Sequence, residues 1–212
     1  MNGIQMFESF PLSTKEGLEM GDVILALSGP RACGKSTIAK HLVNHHGYTR
    51  IAFSDALRQL ASCAGEAYIN DRSYLARLGA TLREMWPMFL LEVTQHRIER
   101  IEGPVVLEDL RFPAEVEFAI TMGATTIRFD ISKNEQLRRL IARDGKQGEE
   151  AHELLDCMDE HLLDDIESWD RVCKAEGDFL ELAATLDAVA HKKIESRAYL
   201  KTSRRGETKE ED

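Results

Sequence analysis

The run Gly29-Pro30-Arg31-Ala32-Cys33-Gly34-Lys35-Ser36, followed by Thr37, has the spacing G-x-x-x-x-G-K-[ST]. Glycines at those positions let consecutive backbone N–H groups turn inward around a polyphosphate, and a helix starting there adds its positive end. A lysine at Lys35 reaches the β- and γ-phosphates, and the Ser36 hydroxyl holds Mg²⁺. Two fixed glycines with the lysine and the hydroxyl occur by chance in on the order of one per hundred such chains. An apolar run ahead of the loop and a helical period behind it lower that further. The segment therefore predicts a site for ATP with Mg²⁺.

Carboxylates and arginines supply the rest of a phosphate-transfer inventory. Val105-Val106-Leu107-Glu108-Asp109 is an apolar run ending in acid. A carboxylate there orients Mg²⁺, usually through water. Asp109 is taken ahead of Glu108, although strand alternation alone does not decide which of them faces the site. Asp55 follows a second apolar run; it is read as a helix cap or as a group that binds or deprotonates an acceptor. Arg111 lies just beyond Asp109. Arg139 and Arg143 are four apart, on one helical face, beside the glycines Gly145 and Gly148. Arginines on a hinged lid could neutralise the transferring phosphoryl group. Arg58 and Arg83 are further candidates for holding an acceptor. His41 and His45 share a helical face without a third metal ligand in view, so they read as an exposed helix end.

The elements that must position these groups follow from periodicity. Short runs at Val23–Ser28, Arg50–Phe53, Val105–Leu107, Thr125–Ile131 and Asp170–Cys173 read as strands, the first and third continuous and apolar as in a buried parallel sheet. Helical spacing links Ile38, Leu42 and Val43, then Leu57, Leu60 and Ala61. It continues from Asp71 to Ile101 with a break at Pro87, and from Pro113 to Met122. A basic helix spans Glu135–Arg143, an acidic helical stretch reaches about Ile166, and a last helix runs from Phe179 to Ile194. Strand and helix alternating with short connections predict an α/β fold: a parallel five-stranded sheet flanked by helices. In such sheets ligands bind beyond the carboxyl ends of the strands, where the motifs fall.

The chain has 212 residues, 43% hydrophobic and 30% charged, with a formal net charge of -10. That length makes one domain with an ample core. The acidity disfavours a general nucleic-acid binder, because phosphates repel it at long range. Cys33, Cys63, Cys157 and Cys173 show neither zinc spacing nor C-x-x-C, so they are expected reduced. No signal peptide and no membrane-length apolar run are evident, and a cytoplasmic location is expected.

The segments Leu27–Thr37, Ile51-Ala52-Phe53-Ser54-Asp55-Ala56-Leu57-Arg58, Leu78-Gly79 with Leu82-Arg83-Glu84, and Leu107–Glu115 with Gly123 resemble bacteriophage deoxynucleoside monophosphate kinases. Order and spacing are similar from about Asp22 to Val189. The resemblance implies a P-loop kinase of the nucleoside monophosphate kinase fold, related to thymidylate kinases. An unpatterned extension over 1–21 and a polar tail over 195–212, expected disordered from its composition, flank the kinase domain that the resemblance implies over 22–194. Within the domain it implies a helical acceptor region over 71–102 and a lid over 133–150. ATP is implied at the loop around Lys35, Mg²⁺ at Ser36 and Asp109, and a deoxynucleotide acceptor near Asp55, Arg58 and Arg111, with Arg83 added as a candidate from its residue type alone. One branch with similar sequence phosphorylates 5-hydroxymethyluracil already in DNA, a step toward thymidine hypermodification. This chain has Ser36 where many monophosphate kinases of the family have Asp, and Met158-Asp159-Glu160-His161 where they carry His-x-Ser-Glu. Those departures favour the DNA branch; the overall acidity favours a free monophosphate. A non-catalytic ATP-dependent switch is the third reading, opposed by the acceptor region and the basic lid.

Overall fold

The computed structural model describes residues 23–145, 161–175 and 179–207. Its elements follow the apolar runs. The strands are β1 (Ile24–Ser28), β2 (Thr49–Ala52), β3 (Val105–Leu110), β4 (Thr125–Asp130) and β5 (Arg171–Lys174). The helices are α1 (Lys35–His46), α2 (Phe53–Ala64), α3 (Glu66–Ile69), α4 (Arg72–Met85), α5 (Phe89–Ile98), α6 (Pro113–Thr121), α7 (Lys133–Asp144) and α8 (Phe179–Glu207). All strand pairs are parallel, in the order β2-β3-β1-β4-β5.

Two apolar layers sandwich the sheet, and strand alternation assigns residues to them. Ile24, Ala26, Ile51, Val105 and Leu107 face a core shared with α2, α4, α5 and α6. Leu25, Leu27, Val106, Ile127 and Phe129 face a second core shared with α1 and α8. The Phe129 side chain is fully buried, which contributes about 2–3 kcal/mol relative to exposure. Pro87 lies between α4 and α5, where its missing N–H costs no helical bond. Pro113 is the first residue of α6, as expected for a fixed φ that suits helix entry.

Three boundaries differ from the sequence reading. Phe53 already begins α2, so Asp55 is not the residue that opens the helix but its third. Residues 161–165 form turns, so the acidic stretch does not continue as helix to Ile166; its part over 146–160 lies outside the described residues. The backbone assigned to a disordered tail from residue 195 continues α8 to Glu207. Between Ile194 and Gly206 there is no glycine or proline to stop it. The expectation for residues 1–21 also lies outside the described residues. Among the described residues no helix is long and apolar enough to cross a membrane, and Cys33, Cys63 and Cys173 are free thiols.

Candidate active site

β1 ends at Ser28, and the chain turns through Gly29 to Gly34 before α1 begins at Lys35. The turn needs left-handed backbone: φ is +138° at Gly29, +60° at Ala32 and +103° at Gly34. Glycine adopts such angles without a Cβ penalty. A Cβ on Gly34 would also run into the Phe179 ring, and one on Gly29 into the Phe129 carbonyl. At the start of α1 the Thr37 and Ile38 N–H groups return to the Gly34 carbonyl at 3.0 and 3.1 Å, and the earliest N–H groups of any helix have no intrahelical acceptor and suit an anion.

Lys35 is buried to 7% exposure. Its ammonium donates to the Gly29 carbonyl (2.5 Å) and the Pro30 carbonyl (3.0 Å) and lies 3.4 Å from Asp109 Oδ1. The cation is thus folded over the loop that a polyphosphate would occupy. Ser36 and Thr37 are exposed, Cys33 is buried behind the loop, and Arg31 is half-buried at its rim.

Both acids at the end of β3 reach this loop, which regular alternation would forbid. The register pairs Ala26 with Leu107 but Ser28 with Leu110, so β3 carries one more residue than β1 over this interval. Asp109 is that bulge, with φ +69°. Leu110 therefore joins the same core as Leu107, while Glu108 keeps the α1 face. The Ser36 hydroxyl donates to Glu108 Oε1. Asp109 accepts from Arg111 Nε at 2.8 Å and faces Lys35. Burial alone would push the Asp109 carboxyl up. The Lys35 ammonium and the Arg111 guanidinium outweigh it and hold that carboxyl below its ordinary value. The carboxylate at the Ser36 hydroxyl is Glu108; Asp109, read from sequence as the Mg²⁺ ligand, pairs with Lys35 and Arg111.

Glu108 and Asp55 are joined by Arg50, a residue that sequence reasoning passed over. Arg50 Nε donates to Glu108 Oε2 at 2.5 Å, and Nη1 donates to Asp55 Oδ1 and Oδ2 at 3.1 and 3.0 Å. Asp55 also accepts the Ala52 N–H at 2.8 Å, closing the first turn of α2. Arg58 donates to Ser54 Oγ at 2.7 Å and lies 3.6 Å from Asp55. Asp55 therefore serves as a helix cap and pairs with Arg50 and Arg58 as well.

On the far side of Asp109, Glu115 accepts the Arg111 and Phe112 N–H groups at 2.8 and 3.2 Å. Arg83 lies 3.8 Å from Glu115 and stacks its guanidinium 3.8 Å from the Phe112 ring centre. Pro113 with Glu115 two residues on is a readable capping signal, and it was the available clue to Glu115. Burial pushes the Glu115 carboxyl up to about 7, despite those N–H groups and Arg83, with the Asp109 charge adding to the rise. The unfolded group titrates near 4.5. Its contribution to stability is therefore fullest below that value and falls as pH rises toward 7, by about 3 kcal/mol over the window. Thermal melts at pH 5, 6 and 7 should show a flatter pH profile for Glu115→Gln than for the wild type. Parallel profiles would remove this titration from the stability balance.

Arg139 on α7 donates to Glu135 (2.7 Å), to the Ala175 carbonyl (2.7 Å) and to the Ala32 carbonyl (3.4 Å), with the Phe179 ring 5.3 Å away. It is thereby held against the phosphate loop. Arg143 lies exposed in the last turn of α7. Of the lid expected over 133–150, residues 146–150 lie outside the described residues. His41 and His45 stack with ring centres 4.4 Å apart, and among the described residues no cluster of three or more metal-ligating side chains could hold an ion.

Ser36 and Glu108 offer hard oxygen donors, the type that Mg²⁺ takes alongside nucleotide phosphates and water. The donor set fits an ion that arrives with its nucleotide.

No protein-family model matches the sequence, and no curated protein matches it. Solved structures do match. A gluconokinase from Sinorhizobium meliloti 1021 is 17% identical, with a TM-score of 0.57 over 85% of this chain and 98% of that one. TT1252 from Thermus thermophilus is 22% identical, with a TM-score of 0.56 over 81% and 98%. Shikimate kinase from Aquifex aeolicus vf5 is 16% identical, with a TM-score of 0.51 over 80% and 96%. At these identities the likeness is one of architecture: the chain has the P-loop kinase fold.

Proposed function

We propose that the protein is an ATP-dependent phosphotransferase whose acceptor is a hydroxyl group, that of 5-hydroxymethyl-deoxyuridine in phage DNA. The observation that carries the reading is the meeting of Lys35, Ser36 and Glu108 at the phosphate loop, with Glu108 tied through Arg50 to Asp55. In this reading the loop N–H groups and Lys35 bind the β- and γ-phosphates, and Ser36 with Glu108 holds Mg²⁺. Bound with ATP, the ion would neutralise charge on the phosphate oxygens. Arg139, held at the Ala32 carbonyl, is close enough to turn toward the transferring group, and Arg143 would join it from the same helix face.

The charge arrangement on the acceptor side supports a hydroxyl over a phosphate monoester. Arg58, Arg83 and Arg111 lie beside Asp55, Glu115 and Asp109 respectively. A monoester dianion would have to draw arginines away from those carboxylates. A neutral hydroxyl needs no such exchange and gains from a carboxylate that takes its proton, a role open to Asp55. The choice of DNA over a free nucleotide rests on the sequence resemblance. The net charge of -10 favours the second reading, a kinase making free deoxynucleoside diphosphates from monophosphates.

Labelled ATP with Mg²⁺ should be offered two acceptors side by side: mixed deoxynucleoside monophosphates, and DNA containing 5-hydroxymethyluracil. Label in the DNA alone is expected. Label in free diphosphates alone would overturn the hydroxyl acceptor but keep the phosphotransferase, and label in neither would count against both.

A further inference from the structure

We propose that Arg50 is a positioning residue that sets the geometry of the magnesium-side carboxylate and couples it to the acceptor side. The proposal rests on the phosphotransferase reading and assigns a role to a residue outside the loop motif. The placement follows from register. In the parallel pair β2·β3, Arg50 stands opposite Val106 and Ala52 opposite Glu108. Arg50 and Glu108 therefore share the sheet face on which Val106 packs toward α1. One residue of slip in β2 would send Arg50 to the opposite face.

Glu108 is only 7% exposed, and both of its oxygens are engaged: Oε1 by the Ser36 hydroxyl and Oε2 by Arg50. A carboxylate held on one oxygen alone can rotate about its last bond. With Arg50 on the other oxygen, the lone pairs near Ser36 keep one direction. The same guanidinium takes both oxygens of Asp55. Such a fork is particular to arginine; a lysine ammonium is a point charge on a flexible stem. The Arg50 guanidinium stands between both acids. It remains the cation between two acids that would otherwise repel.

Groups that orient a metal-binding carboxylate typically change metal affinity or activity by about 10–100-fold when removed. Arg50→Met and Arg50→Lys are the variants. The readout independent of turnover is Mn²⁺ binding to the protein with a non-hydrolysable ATP analogue, followed by electron paramagnetic resonance. Arg50→Met should weaken Mn²⁺ binding by about tenfold or more, and Arg50→Lys by less. In steady state, kcat should fall by about tenfold or more in Arg50→Met with KM for ATP within about threefold. Unchanged Mn²⁺ affinity and kcat would overturn the proposal and leave Arg50 a surface ion pair. Tighter Mn²⁺ binding would overturn it too, because Arg50 would then oppose the ion. A loss of ATP-analogue binding matched by a lowered melting temperature would assign Arg50 to the fold instead. If the wild type binds neither analogue nor Mn²⁺, the phosphotransferase reading fails first, and that outcome is separate from these.

Discussion

Lys35→Met should eliminate phosphate transfer while the protein stays folded. The ammonium sits at the crossing of the Gly29 and Pro30 carbonyls and the Asp109 carboxylate. Each of those partners is an oxygen, as are those of a polyphosphate, so a nucleotide offers the cation an equivalent exchange. In the transition state, charge spreads over the γ-phosphate oxygens, and a fixed cation in a water-poor loop acts most strongly there. Removing it should cost about 10³-fold or more in kcat. Methionine keeps most of the side-chain length and avoids a cavity behind the loop. The variant also takes away a partner of Asp109, which keeps Arg111 at 2.8 Å. A radiolabel transfer assay and a melting curve on the same sample check the result. Near wild-type transfer would mean that the loop is not the nucleotide site.

The second large effect is expected at Glu108, and its size relative to Asp109 distinguishes two assignments. Glu108→Gln retains an oxygen for the Ser36 hydroxyl but removes the charge that attracts Mg²⁺. It also sets an amide N–H₂ against Arg50. A fall of about 10²-fold or more in kcat is expected, with a raised Mg²⁺ requirement. Asp109→Asn tolerates the left-handed backbone at that position, since asparagine enters this region more readily than most residues. It loses the pair with Lys35 but not a contact to the Ser36 hydroxyl, so its effect should be the smaller one. Titrating Mg²⁺ at saturating ATP for both variants tests this order. A larger loss in Asp109→Asn would return the metal role to Asp109.

The turn between β1 and α1 was legible because everything it needs is contiguous. Glycines for the turn, Lys35 and Ser36 lie within one short run, and the left-handed angles at Gly29 and Gly34 are local properties of glycine. The same holds for the break at Pro87, the entry of α6 at Pro113 and the order of strands and helices. Apolar period sets these, and neighbouring residues carry that period. The end of α8 was misjudged for a related reason. Its polar composition suggested a loose tail, but composition does not stop a helix that lacks glycine and proline until Gly206.

The pairing of charged groups around the loop was decided only by tertiary structure. Alternation along β3 predicts that Glu108 and Asp109 face opposite ways. The bulge lets both reach the phosphate loop, and it exists because β3 must match β1 at Ala26 and again at Ser28 with one residue to spare. Arg50 reads in sequence as an ordinary exposed strand residue. Its place between Glu108 and Asp55 depends on the register of β2 against β3, a relation between segments more than fifty residues apart. Glu115 accepts the Arg111 and Phe112 N–H groups ahead of α6, and the rise of its carboxyl comes from burial, which no local pattern fixes. The sequence by itself thus determined the glycine-set turn between β1 and α1, because that depends on residues adjacent in the chain. Tertiary structure decided which acid meets Ser36 and which arginine holds it, because sheet register and bulge are set by the strands on either side.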